Sequence, residues 1–441
     1  MDNAVGERTV RKVFWRIVPF VMLLAIINYI DRINIGVAAL EMNKDLGFSA
    51  TSYGFGAGVF FIGYCFFEVP SNLILARVGV RRWLARIMVT WGIIATGMAW
   101  VSGDISFYVM RFLLGVAEAG FLPGVMYYFR HWLPPQTRGM TLAIYMANTA
   151  LSLMIGTPLS TWIMGAFDGA FGLHGWQMVF ILEGLPAVII GFLVLYILTE
   201  RPAEATWLSA DEKRWLARQL EAERIAQGER GATTLRQGFF DRRVILISVM
   251  CFFLICANFS VVFWLPQIIK AFGGVTNNQV GLLISLVFLL ASITMVLWGR
   301  HSDRTGDRRW HLVLGFIVGA AGLVAGGLAP TPTTQFIGLC FAAIGVWSTF
   351  GVFWALAADF LSGAAAAGGL ALINSIGTFG GFAGPFIVGF VRDRTQNFTA
   401  SLLVLAGSAL IAAILSAMLR NEWRPEAQTK LAGAAASVGD D

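Results

Sequence analysis

Twelve runs of apolar residues set the terms on which this chain can fold. They lie at about 15–39, 51–75, 84–103, 105–129, 139–166, 177–199, 244–270, 279–299, 311–329, 335–358, 366–391 and 399–420. Each is close to the roughly 20 residues that a helix needs to cross a bilayer. Hydrocarbon offers the backbone no water, so every N–H and C=O must find its partner within the segment, and the runs predict helices. Of 441 residues, 57% are hydrophobic and 13% charged, with mean hydropathy +0.70; soluble domains of this length are more polar. The expected fold class is an all-α membrane protein with twelve transmembrane helices.

Charge then orients the runs. Lys and Arg collect at alternate junctions: the N-terminus, Arg77/Arg81/Arg82/Arg86, Arg130/Arg138, the stretch 200–243, Arg300/Arg304/Arg308/Arg309 and Arg420/Arg424/Lys430. Basic loops stay in the cytoplasm, which puts both termini and the long linker there and predicts a multi-pass protein of the cell (inner) membrane. Arg392 and Arg394, flanking Asp393, are the exception. The basic start before the first run has no small-residue cleavage site after it, so it reads as a retained helix rather than a signal peptide. The net charge of +6 is therefore topological, and no nucleic-acid partner is expected. Cys65, Cys251, Cys256 and Cys340 all sit in apolar runs without ligand spacing, so neither disulfide, metal nor cofactor is implied.

The one long polar stretch divides the chain into an N-terminal six-helix bundle (1–200), a cytoplasmic linker (201–243), a C-terminal six-helix bundle (244–420) and an Ala/Gly-rich tail (421–441) expected to be disordered. Within the linker, Ser209-x-x-Glu212 predicts a capping box that opens an amphipathic helix. The halves look like a repeat. Gly299-Arg300-His301-Ser302-Asp303-Arg304-Thr305-Gly306-Asp307-Arg308-Arg309 and the degenerate Asn72-Leu73-Ile74-Leu75-Ala76-Arg77-Val78-Gly79-Val80-Arg81-Arg82 occupy matching loops. A transporter built by duplication is the expectation.

Charges inside the runs mark the candidate site. Asn28-Tyr29-Ile30-Asp31-Arg32-Ile33-Asn34 places an acid and a base where an unpaired charge costs several kcal/mol, from about 2.5 upward. The fourth run carries Arg111 and Glu118, seven residues and about 10 Å apart on nearly one helix face. By depth, Asp31 and Arg32 lie roughly 6–8 Å, and Arg111 roughly 10 Å, to the outer side of the midplane. Asp31 is thus expected to meet Arg111. Arg32, about 100° away around its helix, is then left to face the cavity. The four charges sum to zero, so a bound carboxylate calls for a proton, with Glu118 as its carrier and Arg32 as the bidentate anion ligand. A fixed structural network of the four is the alternative. Tyr64 and Asn374 can add hydrogen bonds to a substrate or simply pack between helices. Asp359 is a candidate gate element. Asp303, Arg304 and Arg308 read as a gating latch.

These motifs resemble a known family. The loop 299–309 resembles the G-x-x-x-D-R-x-G-x-R-R loop of the major facilitator superfamily, with Asn72 and Ala76 as departures in the other copy. Asn28-Tyr29-x-Asp31-Arg32, Glu68-Val69-Pro70-Ser71-Asn72, Arg111-Phe112-x-x-Gly115-x-x-Glu118-Ala119-Gly120-x-x-Pro123-Gly124, Gly175-Trp176-Gln177-x-x-Phe180-x-x-Glu183-Gly184, Phe263-Trp264-Leu265-Pro266 and Asn374-Ser375-x-Gly377-x-x-Gly380-Gly381-x-x-Gly384-Pro385 are similar to its anion:cation symporters. That group includes permeases for sugar acids, tartrate, phthalate and hydroxyphenylacetate. The resemblance implies two pseudo-symmetric six-helix bundles in a monomer, with Asp31, Arg111 and Glu118 as proton-coupling groups, Arg32 as the anion-binding arginine and Tyr64 near the substrate. It also makes the sixth helix peripheral, so Glu183 is given no site role. The function expected is uptake of a small organic anion with protons, by alternating access. A proton-antiporting drug or metabolite exporter of the same fold is the alternative, which paired arginines disfavour. A membrane enzyme would need a motif such as H-E-x-x-H or G-x-S-x-G, and neither occurs.

Overall fold

The structure, a computed structural model, describes residues 2–228, 242–360 and 364–419. The tail 421–441, the basic residues Arg420, Arg424 and Lys430, and the Asp359 side chain lie outside the described residues. Among these residues the regular structure is helical: α1 (Asp2–Asp45), α2 (Ala50–Val78), α3 (Val80–Gly97), α4 (Asp104–Glu118), α5 (Phe121–Trp132), α6 (Pro135–Met146), α7 (Asn148–Ala166), α8 (Gly175–Ile197), α9 (Ala210–Gly228), α10 (Arg242–Ala271), α11 (Asn277–Thr305), α12 (Arg309–Leu328), α13 (Pro332–Phe360), α14 (Ala364–Thr395) and α15 (Thr399–Met418), with short 3-10 turns between some of them.

Among the described residues eleven spans are long and apolar enough to cross a membrane, two of which are broken, α4–α5 and α6–α7. Of the twelve predicted helices the remaining one is α3. It has 18 residues and carries Arg81, Arg82 and Arg86 near its start. Glu200 accepts hydrogen bonds from Val80 N (2.6 Å) and Arg81 N (3.1 Å), satisfying two N–H groups that a helix start leaves free. The break between α4 and α5 falls where Gly120 adopts φ +90°, and a Cβ there would collide with Ser71 Oγ. Only glycine suits that position.

The expected capping box forms: Ser209 N donates to Glu212 Oε2 (2.8 Å) and Glu212 N to Ser209 Oγ (3.3 Å). It opens α9, which packs against the start of α1, where Arg8 and Lys12 pair with Glu212 (2.9 and 2.8 Å). This end of the molecule is called the linker side below, and the opposite end the far side.

Before the linker, α1 packs on α7 and α8, α2 on α4, and α3 on α8; after it, α10 packs on α14, and α12 on α13 and α15. The two sets meet along α2 with α14, α7 with α11 and α1 with α10. Small residues allow the close approach: Gly54 lies against the Pro385 carbonyl, Gly58 against Phe382 and Gly281 against Thr161. Hydrogen bonds between the sets gather on the far side, including Tyr53 Oη to Phe263 O (2.9 Å), Asn277 Nδ2 to Glu41 Oε1 (2.7 Å) and Ser285 Oγ to Met154 O (2.6 Å).

Candidate functional site

The site is built on α1 and α4. Arg32 Nη2 donates to Glu118 Oε2 at 2.6 Å, and Asn28 Nδ2, one turn before Arg32, donates to the same oxygen at 3.0 Å. Glu118 is the last residue of α4, so the break at Gly120 fixes where its carboxylate is presented. Its side chain is fully buried, and the Arg32 side chain keeps 15% of its surface exposed. Among the described residues, Glu118 Oε1 accepts no hydrogen bond. The Arg32 guanidinium also lies over the rings of Phe60 (5.1 Å) and Tyr64 (5.4 Å), which adds cation–π attraction. A weakly hydrated guanidinium with one carboxylate partner and part of its surface open can exchange that partner for another anion.

Arg111 is not where depth alone places it. It donates to two backbone carbonyls of α2, Ala57 O (3.2 Å) and Gly56 O (3.4 Å), and lies 5.0 Å from the Phe60 ring centre, so Phe60 sits between the two arginines. Asp31 instead accepts from Trp91 Nε1 of α3 at 2.5 Å. The expected Asp31–Arg111 pair is corrected, and the reason is the packing order. Helix α4 lies against α2 rather than α1, so Arg111 turns to the carbonyls that Gly56 and Ala57 leave reachable. Asp31 faces α3, on a different side of α1 from Arg32.

Tyr64 is buried beneath Arg32. Asn374, on α14, donates to Glu68 Oε2 of α2 at 3.1 Å, tying the two sets of helices together nearer the linker side. Asp303 and Arg308 pair with each other at the α11–α12 junction, and Arg308 Nη1 also reaches Ser302 Oγ (3.4 Å). Arg304 is in the last turn of α11. These three are apart from the Arg32–Glu118 pair, at the linker-side loop. Sequence reasoning gave no role to Asn28, Phe60, Glu68 or Trp91. Asn28 carried a usable signal in its spacing of four from Arg32, and Glu68 another as an acid inside the second run.

The Major Facilitator Superfamily profile matches residues 21–274 and 270–438. The chain belongs to that superfamily. A candidate tartrate transporter of Agrobacterium vitis is 46% identical over 98% of this chain and 99% of its own length. The candidate metabolite transport protein NicT of Pseudomonas putida is 42% identical over 92% of each. Both fit the anion:cation symporter group that the motifs resemble. A bacterial homologue of the human lysosomal transporter Spinster shares the fold, with TM-score 0.76 and 16% identity over 92% of this chain and 96% of that one. This facilitator is a multi-pass membrane protein and a secondary transporter, not an enzyme.

Proposed function

We propose that this facilitator imports a small carboxylate anion together with protons, by alternating access between the sets of helices at 1–200 and 244–420. The Arg32–Glu118 pair carries the proposal. An incoming carboxylate offers Arg32 two parallel hydrogen bonds, stronger than the single one that Glu118 Oε2 accepts from it. When it takes Arg32, Glu118 is left buried with Asn28 as its remaining donor, and an unpaired charge in the membrane costs several kcal/mol. A proton on Glu118 removes that cost. Anion and proton therefore bind together, which is what coupled transport needs. Asp31 and Arg111 frame the pair, Arg111 by holding Phe60 against Arg32, and Tyr64 and Asn374 line the approach.

Tartrate, which the name of the Agrobacterium vitis relative prints, has the required chemistry: two carboxylates and two hydroxyls. The basic linker side faces the cytoplasm of the inner membrane, and the monomer is the working unit. Asp303, Arg304 and Arg308 act in gating at the linker-side loop.

The test is lumenal pH in proteoliposomes that hold the purified protein and a pH dye, as tartrate, sugar acids and aromatic acids are added singly outside. Acidification with one class, lost in Glu118→Gln, is the expected result. Uptake of a labelled acid with no change in lumenal pH would overturn proton coupling, and loss of protons from the lumen would mean exchange instead.

A further inference from the structure

Glu68 stands one turn beyond Tyr64 on α2, on the same face and about 6 Å further along the axis toward the linker side. Tyr64 itself lies 5.4 Å from the Arg32 guanidinium. The stripe of α2 that ends at Glu68 meets α14 in successive contacts: Gly54 on the Pro385 carbonyl, Gly58 on Phe382, the Phe61 ring on Gly381, and Cys65 Sγ at 3.9 Å from the Ser375 carbonyl. The next contact is polar. Asn374 Nδ2 reaches Glu68 Oε2 at 3.1 Å and Oε1 at 3.5 Å, across the gap between the two sets of helices. Both residues keep part of their surface exposed.

A fixed negative charge so near the anion-binding arginine works against an anion in general, so what it favours is the far end of a particular one. An ionised carboxylate only accepts hydrogen bonds, and the Asn374 amide nitrogen only donates them. A hydroxyl placed between the two satisfies both, accepting from Asn374 Nδ2 and donating to Glu68. A carboxylate can accept from Asn374, but it has no hydrogen for Glu68 and is repelled by it. A methyl or aryl group offers neither bond and shuts both polar groups off from water. One helical turn is about 6 Å with the rise of each residue counted, roughly the reach of a four- to six-carbon acid held at Arg32 by its carboxylate.

We propose that Glu68 is a specificity-determining residue of the transport site: with Asn374 it favours an acid whose far end is a hydroxyl over one that ends in a second carboxylate or an apolar group. It rests on the carboxylate reading above and narrows it to hydroxylated monocarboxylates. Tartrate meets Arg32 equally well but brings its second charge to Glu68, so it is the weaker ligand. The hydroxyl that enters between Asn374 and Glu68 also replaces a direct bond between α2 and α14 by one through the substrate.

The test is binding calorimetry on the purified full chain at one fixed pH, with three acids that share a four-carbon skeleton and both inner hydroxyls. They differ only at the last carbon: threonate carries a hydroxyl there, tartrate a carboxylate and 2,3-dihydroxybutanoate a methyl. The wild type is expected to bind threonate at least about tenfold more tightly than either of the others. In Glu68→Gln, whose amide can donate to a carboxylate, the preference for threonate over tartrate is expected to fall to about twofold or less. Tartrate bound as tightly as threonate by the wild type overturns the role of Glu68, and this comparison decides even where the variant does not fold. A ratio that stays the same in a folded Glu68→Gln overturns it too. If none of the three binds while an aromatic acid does, the preference for a hydroxyl falls alone; if no carboxylate binds at all, the carboxylate reading falls with it.

Discussion

Asp393 Oδ2, near the end of α14, accepts the backbone N–H of Thr51 in the first turn of α2 at 2.7 Å, while Oδ1 accepts from Ala50 N at 3.0 Å. The carboxylate of one set of helices thus caps a helix of the other, where the helix dipole also favours negative charge. It joins the far-side ends that must part if the cavity is to open there. Asp393→Ala is expected to weaken this closure by about 1 kcal/mol, roughly a fivefold shift in population. With Cys65, Cys251, Cys256 and Cys340 replaced, a cysteine at Val262, which packs against Gly36 on the far-side seam, reports the change. Faster labelling by a membrane-impermeant maleimide in the Asp393→Ala background is the expected outcome; equal labelling would mean that the clamp does not hold the seam.

Arg32→Lys keeps the charge on Glu118 but gives up the planar fork that binds a carboxylate twice. The protein is expected to fold, with substrate affinity lower by tenfold or more. Arg32→Ala is harsher, because breaking a buried ion pair costs about 3–5 kcal/mol. Binding calorimetry with the thermal midpoint beside it separates the two effects: affinity falls first in the lysine variant, and stability falls in the alanine variant.

The helices were legible because the bilayer leaves so little choice, and the capping box at Ser209 and Glu212 because it is local. That Arg32 and Glu118 are buried charges that need partners was also within reach, and depth along a helix follows from its rise per residue. Direction around the helix does not. Arg111 and Asp31 share a depth, but α4 packs on α2, and only the tertiary arrangement shows that Gly56 and Ala57 offer their carbonyls there. The break after Glu118 rests on Gly120, which stood in the quoted motif as one glycine among many, with nothing to mark it as the one of positive φ. Arg392 and Arg394 looked like an exception to the charge rule, and Asp393 between them is a cap whose partner stands more than 340 residues away in the chain. Glu183 was set aside on the expectation of a peripheral helix, whereas α8 packs on α1 and α3 closely enough to bury it.

Trp91→Phe removes the one hydrogen-bond donor that Asp31 has among the described residues and changes little volume. The stability lost is expected to be about 1–3 kcal/mol, the cost of a buried polar atom left without its partner. The pH profile of uptake is expected to shift, while affinity for the anion at a fixed pH changes less than twofold, since Arg32 and Glu118 are untouched. A profile that coincides with the wild type would take Asp31 out of the coupling.

The attachment of α9 to the start of α1 responds to acid. Burial by itself would raise the Glu212 carboxyl, but hydrogen bonds from Lys12 and from Ser209 N, and the charges of Lys12 and Arg8, outweigh it and hold the group at about 2, below its ordinary 4.5. A carboxyl lowered by folding adds stability that is complete above its unfolded value and is lost as pH falls toward the folded one. The docking of α9 is therefore expected to be at full strength above about pH 5 and to weaken progressively between pH 5 and 2. Glu212→Gln removes the ion pairs with Arg8 and Lys12 at every pH, so its α9 is expected to be looser at neutral pH and nearly indifferent to acid. Hydrogen exchange of the α9 amides, followed from pH 7 downward with the intrinsic rate corrected, measures both. Protection in the wild type that stays constant down to pH 3 would show that the contact between Gly6 and the Trp215 ring, rather than the charges, holds the helix in place.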